Sequence, residues 1–228
     1  MWNWRGATKD SFMGYSFSSN DHYIEDDEGR KIAKKIAKLN KGPAEKILKP
    51  YLVKKKEASS GRLNKFIELA EKEFSTKYEP ACKALEQITR RPMMSDLFTF
   101  WITTFPRMPY FYEKREIFMF DSAEDFWGMP IDGFLHEGLH FQFHYYWEED
   151  KNSPVSNLSD DEFDYIKEAL TVVLDKDLEP LISVPDKGYT SQAEYRGLLH
   201  ENWQKHHDFD ELVVFGLEKL PIFCKRQS

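Results

Sequence analysis

The sequence predicts a mainly helical α+β fold with one small sheet, and three observations carry that expectation. Apolar residues recur at three- and four-residue spacing through most of the chain, the period of a helix face. Two internal runs, 96–105 and 116–120, are instead rich in aromatic and β-branched residues and read as strands. Residues 130–147 hold an unbroken helical pattern that is apolar nearly all round, which marks a buried helix. With 228 residues the chain has the length of one sizeable core, and a single domain over 1–228 is expected: a helical part over 1–95 and a core over 96–228. Hydrophobic residues at 41% with 15% aromatic predict a folded globular protein, while 31% charged and a mean hydropathy of -0.64 predict a soluble one.

Taken in order, the stretch to about Asp27 mixes Trp2, Trp4, Phe12, Tyr15, Phe17 and Tyr23 with small polar residues and lacks a sustained period. It reads as irregular, with a short strand around Met13 to Ser18. Its first residues lack the apolar core of a secretory signal, and the longest apolar run, Leu97 to Phe105, is too short to span a bilayer; a cytoplasmic address is the expectation. From Arg30 to Lys56 eleven basic residues face a single acid, Glu45, although the whole chain carries a net charge of -7. Ile32, Ile36 and Leu39 mark one helix here, and Ile47, Leu48 and Tyr51 a second after Gly42-Pro43. A solvated lysine face explains this segment, and without a stacking platform or nucleic-acid motif it argues against a nucleic-acid partner.

A longer helix is expected from about Gly61 to Arg91, kinked or split at Pro80. After the two strands and the helix around 130–147, Glu148 to Pro154 forms a polar loop. Ser159 followed by Glu162 is a capping-box start, and the helix it opens is expected to run on to Asp175. Two further helices fall around Gln192 to Gln204 and Asp208 to Lys219. Cys82 and Cys224 stand at opposite ends of the chain without metal-ligand spacing and read as two buried thiols.

The buried helix carries the chemistry. It contains His136-Glu137-Gly138-Leu139-His140, and at about 100° per residue His136, His140, His144 and Glu137 share one arc of about 100°. Two imidazoles one turn apart can hold a zinc ion at about 2.0–2.1 Å, and a glutamate beside the first can take a proton from the water that the ion acidifies. His144 stands about 12 Å along the axis from His136 and is better read as a neighbour of the site than as a ligand. The motif resembles that of the zincin metallopeptidases, over residues 130–168. The resemblance implies one zinc ion held by His136 and His140, with Glu137 as general base, and a peptide or protein as substrate. In the gluzincin subset a glutamate on a later helix is the third ligand, which implies Glu168, with Glu162, Asp164 and Glu194 as fallbacks. Thr171 and Asp175 share the face of Glu168 and are expected to support it. Related peptidases use a Tyr, His or Arg on the oxyanion, and Tyr189, Arg196 and His200 are the candidates. Two other readings stand beside this one. Glu137-x-x-His140 is also half of a di-iron carboxylate site, which needs a second such pair that the chain lacks. A non-catalytic, zincin-derived binding module would work through the basic surface of Arg30 to Lys56.

Overall fold

The computed structural model describes residues 11–12, 15–16, 27–36, 39–58, 60–103, 110–120 and 129–224. Within them the chain is α+β and mainly helical, with a three-stranded mixed sheet. Helix α1 (Asp27–Ile36) and helix α2 (Lys41–Ala58) form the basic pair. Lys46, Lys49, Lys54 and Lys56 are exposed while Ala44 is buried, so the lysines form a solvated face, and Lys54 pairs with Glu28 at 2.8 Å. The strand expected around 13–18 is two two-residue strands, β1 (Ser11–Phe12) and β2 (Tyr15–Ser16), paired antiparallel; residues 13, 14, 17 and 18 lie outside the described residues.

Helix α3 (Ser60–Thr89) continues through Pro80, so of the expected kink or split the split does not occur. Pro80 lies on the exposed face, and buried Phe66 and Ala70 before it and Ala81, Leu85 and Ile88 after it pack on the same core, which outweighs one lost backbone hydrogen bond. The sheet has the order β3 (Thr99–Thr103), β5 (Glu116–Phe120), β4 (Tyr110–Phe111). Strands β3 and β5 are parallel, pairing Phe100 with Ile117, and β4 runs antiparallel to β5, pairing Tyr110 with Ile117. The two-residue β4 is not among the elements expected from the sequence.

Helix α4 (Pro130–Phe143) is the centre of the core, and every residue in it is buried. Proline at its first position needs no backbone donor there. Asp132 accepts from the backbone of Met129 at 2.6 Å and from that of Ser183 at 2.9 Å, which ties the start of the helix to a distant loop. One flank lies on α3, where Phe74 and Tyr78 meet Phe134, and Phe98 and Phe100 from the strand side close on the same ring. The two helices pack closely at Gly138, where a Cβ would stand 2.8 Å from Leu85 Cδ1. Past Phe143 the helix widens into a π turn, 144–148, with Glu149 N donating to His144 O at 3.0 Å. Helix α5 (Asp160–Leu170) starts on the expected capping box, Ser159 N to Glu162 Oε2 at 3.0 Å. It stops five residues earlier than expected and tightens into a 3-10 turn over 171–173. Helices α6 (Ala193–His206) and α7 (Phe209–Cys224) close the core from the other side. Cys82 and Cys224 are free thiols and only partly buried, not the buried pair expected. Among the described residues no helix is long and apolar enough to cross a membrane.

Candidate metal centre

Helix α4 turns His136 and His140 toward the same point, and α5 brings Glu168 to it. His136 Nε2 and His140 Nε2 stand 3.0 Å apart. Glu168 Oε2 is 3.5 Å from His136 Nε2, and its Oε1 is 3.4 Å from His140 Nε2. One ligand atom from each of the three lies within 4.8 Å of the others, and two imidazoles with a carboxylate are a donor set that suits zinc. The three are the group of His, Cys, Asp and Glu side chains among the described residues that could hold an ion.

A second tier fixes the first imidazole. His136 Nδ1 stands 2.6 Å from Asp186 Oδ2, which keeps a proton on Nδ1 and turns Nε2 inward. Asp186 Oδ1 in turn accepts from Gly188 N at 2.8 Å, Thr171 Oγ1 at 3.1 Å and Arg196 Nη2 at 2.9 Å. The Nη1 of Arg196 donates to the carbonyls of Glu168 at 2.9 Å and Ala169 at 3.3 Å and to Thr171 Oγ1 at 2.7 Å. These carbonyls belong to the last turn of α5, where backbone acceptors lack helical partners, so Arg196 ends the helix just beyond the ligand that the helix carries. That is why α5 does not reach Asp175. Arg196 is buried and supports the site from behind, which corrects its expected part on an oxyanion.

The buried charges follow from this packing. Burial favours the neutral form of Glu168, but His140 and His136 overcome it and hold its carboxyl well below the usual range. Burial likewise opposes the charge on Asp186, and His136 and Arg196 outweigh it, leaving the carboxyl low. For His136 burial pulls down, yet Asp186 and Glu168 lift it well above an ordinary histidine, whereas burial pushes His140 down to about 3. The raised His136 favours its protonated imidazole where no ion is bound, with His140 Nε2 and Glu168 facing its Nε2. His140 Nδ1 has no hydrogen-bond partner among the described residues. Glu137 is buried beside the group with its Oε2 unpartnered, and burial pushes its carboxyl up to about 8.

On the opposite side Lys167, also buried, donates to Tyr110 Oη at 3.0 Å and Asp164 Oδ1 at 2.9 Å and stands 3.6 Å from Glu168 Oε1. Burial holds the Tyr110 phenol well above its ordinary value, so it keeps its proton and donates to His144 Nε2 at 2.6 Å, while His144 Nδ1 faces Glu148. His144 is thus a neighbour of the site, as expected, and Glu168 is the acid that reaches the histidines. The fallback acids are elsewhere: Glu162 caps α5, Asp164 pairs with Lys167 and Glu194 is exposed at the start of α6. Thr171 supports the centre through Asp186, but Asp175 does not; it caps a 3-10 turn through Asp177 N and pairs with His200 at 3.3 Å. His200 is therefore engaged with Asp175 and stands outside the group, and Tyr189 takes the N-cap position of the 3-10 turn 190–192. Sequence reasoning missed Asp186, Lys167 and Tyr110. The one signal for Asp186 was the turn pair Asp186 and Gly188, whose first member bonds the backbone of the second.

The chain matches no family model, no curated protein and no solved structure.

Proposed function

We propose that the chain is a zinc-dependent hydrolase that cleaves peptide bonds. His136, His140 and Glu168 hold the ion and Glu137 is the general base. The observation that carries this is the convergence of His136, His140 and Glu168, one ligand atom from each within 4.8 Å of the others, beside a buried glutamate with an unpartnered oxygen. A zinc ion held there would polarise the attacking water and the carbonyl it attacks. Glu137 accepts the proton that the water sheds and returns it to the leaving nitrogen; a dication nearby favours the ionised carboxylate that this needs. Asp186 holds His136 in the tautomer that presents Nε2, and Arg196 holds Asp186. A peptide substrate is supported by the motif's resemblance to the zincins and by β4, an edge strand beside the centre along which an extended chain can lie. The di-iron alternative needs Glu137 among the ligands, but the converging group leaves it out.

The test is zinc content and turnover of a mixed peptide pool, on wild type and Glu137→Gln side by side. The variant is expected to keep stoichiometric zinc and lose about 10²-fold or more of its turnover. Zinc-free wild type, or full turnover in the variant, refutes the reading.

A further inference from the structure

Lys167 follows Asp164 by three residues on α5, the fold buries it, and a buried ammonium needs a reason. Asp164 is not one. Its side chain is 66% exposed, and a surface lysine would serve it as well. Tyr110 is neutral. Of the anions within ion-pair distance of Nζ, only Glu168 is largely enclosed, its side chain 12% exposed, and it is the third member of the candidate metal centre. Of the two carboxylate oxygens Oε1 is the nearer to Nζ, at 3.6 Å. Nζ stands against Oε1, the oxygen that faces His140, while Oε2 faces His136.

We propose that Lys167 is a positioning residue that confines Glu168 to metal binding through a single oxygen. This rests on the reading of His136, His140 and Glu168 as metal ligands. An ammonium on Oε1 draws off that oxygen's charge and repels a dication approaching the same atom, so Oε2 is left as the better donor. A glutamate held this way fills one coordination position; one free to turn would fill two and close the position that a catalytic ion keeps open for water or substrate. The ammonium cannot swing aside. Tyr110 Oη takes one of its protons, and Tyr110 is itself fixed by its bond to His144, which Glu148 holds from the other side. Edge strand, π turn and ligand helix thus meet on one oxygen of Glu168.

Metal-free protein is titrated with Co2+, whose visible absorption is strong in four-coordinate sites and severalfold weaker at higher coordination number. Wild type, Lys167→Met and Lys167→Arg are compared. Lys167→Met is expected to bind Co2+ at least as tightly as wild type, because the repulsion is gone, while absorbance per bound ion falls about twofold or more as both oxygens close on the ion. Lys167→Arg, which restores the cation, is expected to keep the wild-type intensity. Unchanged bands in Lys167→Met overturn the proposal, including the case where only thermal stability drops, as a purely structural lysine would give. Wild type that takes up no Co2+ overturns the metal reading and this inference with it. Should Lys167→Met fail to fold, Tyr110→Phe is read in its place: it frees the ammonium from its anchor and must weaken the same bands, and an unshifted spectrum there overturns the proposal.

Discussion

Gly188→Ala probes the centre from a residue that touches none of the ligands. Gly188 has φ of +57°, a left-handed conformation that costs alanine about 1–2 kcal/mol. Its added Cβ would fall 2.5 Å from Cζ and 2.6 Å from Cδ of Arg196, so the guanidinium has to move. That group makes five hydrogen bonds through Nη1 and Nη2, two of them to Asp186. Fully breaking a buried pair of this kind costs about 3–5 kcal/mol, which bounds the additional loss from above. A total of about 2–4 kcal/mol is the expected destabilisation, within the roughly 5–15 kcal/mol that a domain can lose before unfolding. The sharper effect is on metal: a displaced Asp186 no longer orients His136, and loss of such an orienting partner weakens zinc about 10–100-fold. Denaturant unfolding measures the first quantity, and zinc competition against a chromophoric chelator the second. Gly197→Ala is the control, since its Cβ meets nothing within 4 Å and the site is helical. Wild-type zinc affinity in a folded Gly188→Ala would refute the chain of contacts from Gly188 through Arg196 and Asp186 to His136.

Zinc must displace the proton held on His136, so its affinity should rise with pH between about 6 and 8, with about one proton or more released per ion at pH 7. Chelator competition across that range and titration in weak buffer measure both, and a pH-independent affinity would contradict the assigned charge. Glu137 gives the opposite dependence for the stability of metal-free protein. Its folded value of about 8 lies above the ordinary 4.5, so between these the unfolded chain is ionised while the fold keeps the proton, and stability falls as pH rises. At pH 8 metal-free Glu137→Gln should therefore be more stable than wild type by about 1 kcal/mol or more, the gap closing toward about pH 4.5. Equal unfolding midpoints at pH 8 would show that the carboxyl is not strained by burial.

The elements legible in the sequence were those whose pattern repeats over several turns or alternations: helix α4, strand β5 at its exact span, and the capped start of α5. Glu168 was legible only with the motif in hand, because two histidines on one helix need a third ligand and α5 follows soon after. Strand β4 was not legible, since two residues cannot show an alternation. Pro80 misled because a local rule about backbone donors competes with core contacts far apart in the sequence. Lys167 and Asp164 lie three apart on one face of α5, and no local signal tells that the first is buried and the second exposed. The same holds for Asp186, Arg196 and Gly188, whose meeting depends on how the loop before α6 returns to α5.

Ser183 and Asp186 reach α4 from one connected stretch of chain, Ser183 at Asp132 and Asp186 at His136. The loop bonds the start of the helix through Ser183, and three residues later it bonds the imidazole of His136, a turn further along the helix. Two separated attachments remove a rotation that one alone would leave. The helix cannot roll about its axis without tearing one acid from its partner, so the direction in which His136 aims is set by a lever about one turn long rather than by the packing of its own ring. Aim of this kind does not tolerate a change of length between Ser183 and Asp186. In this protein an insertion of one residue there would move Asp186 relative to Ser183 and so turn His136 away from Glu168.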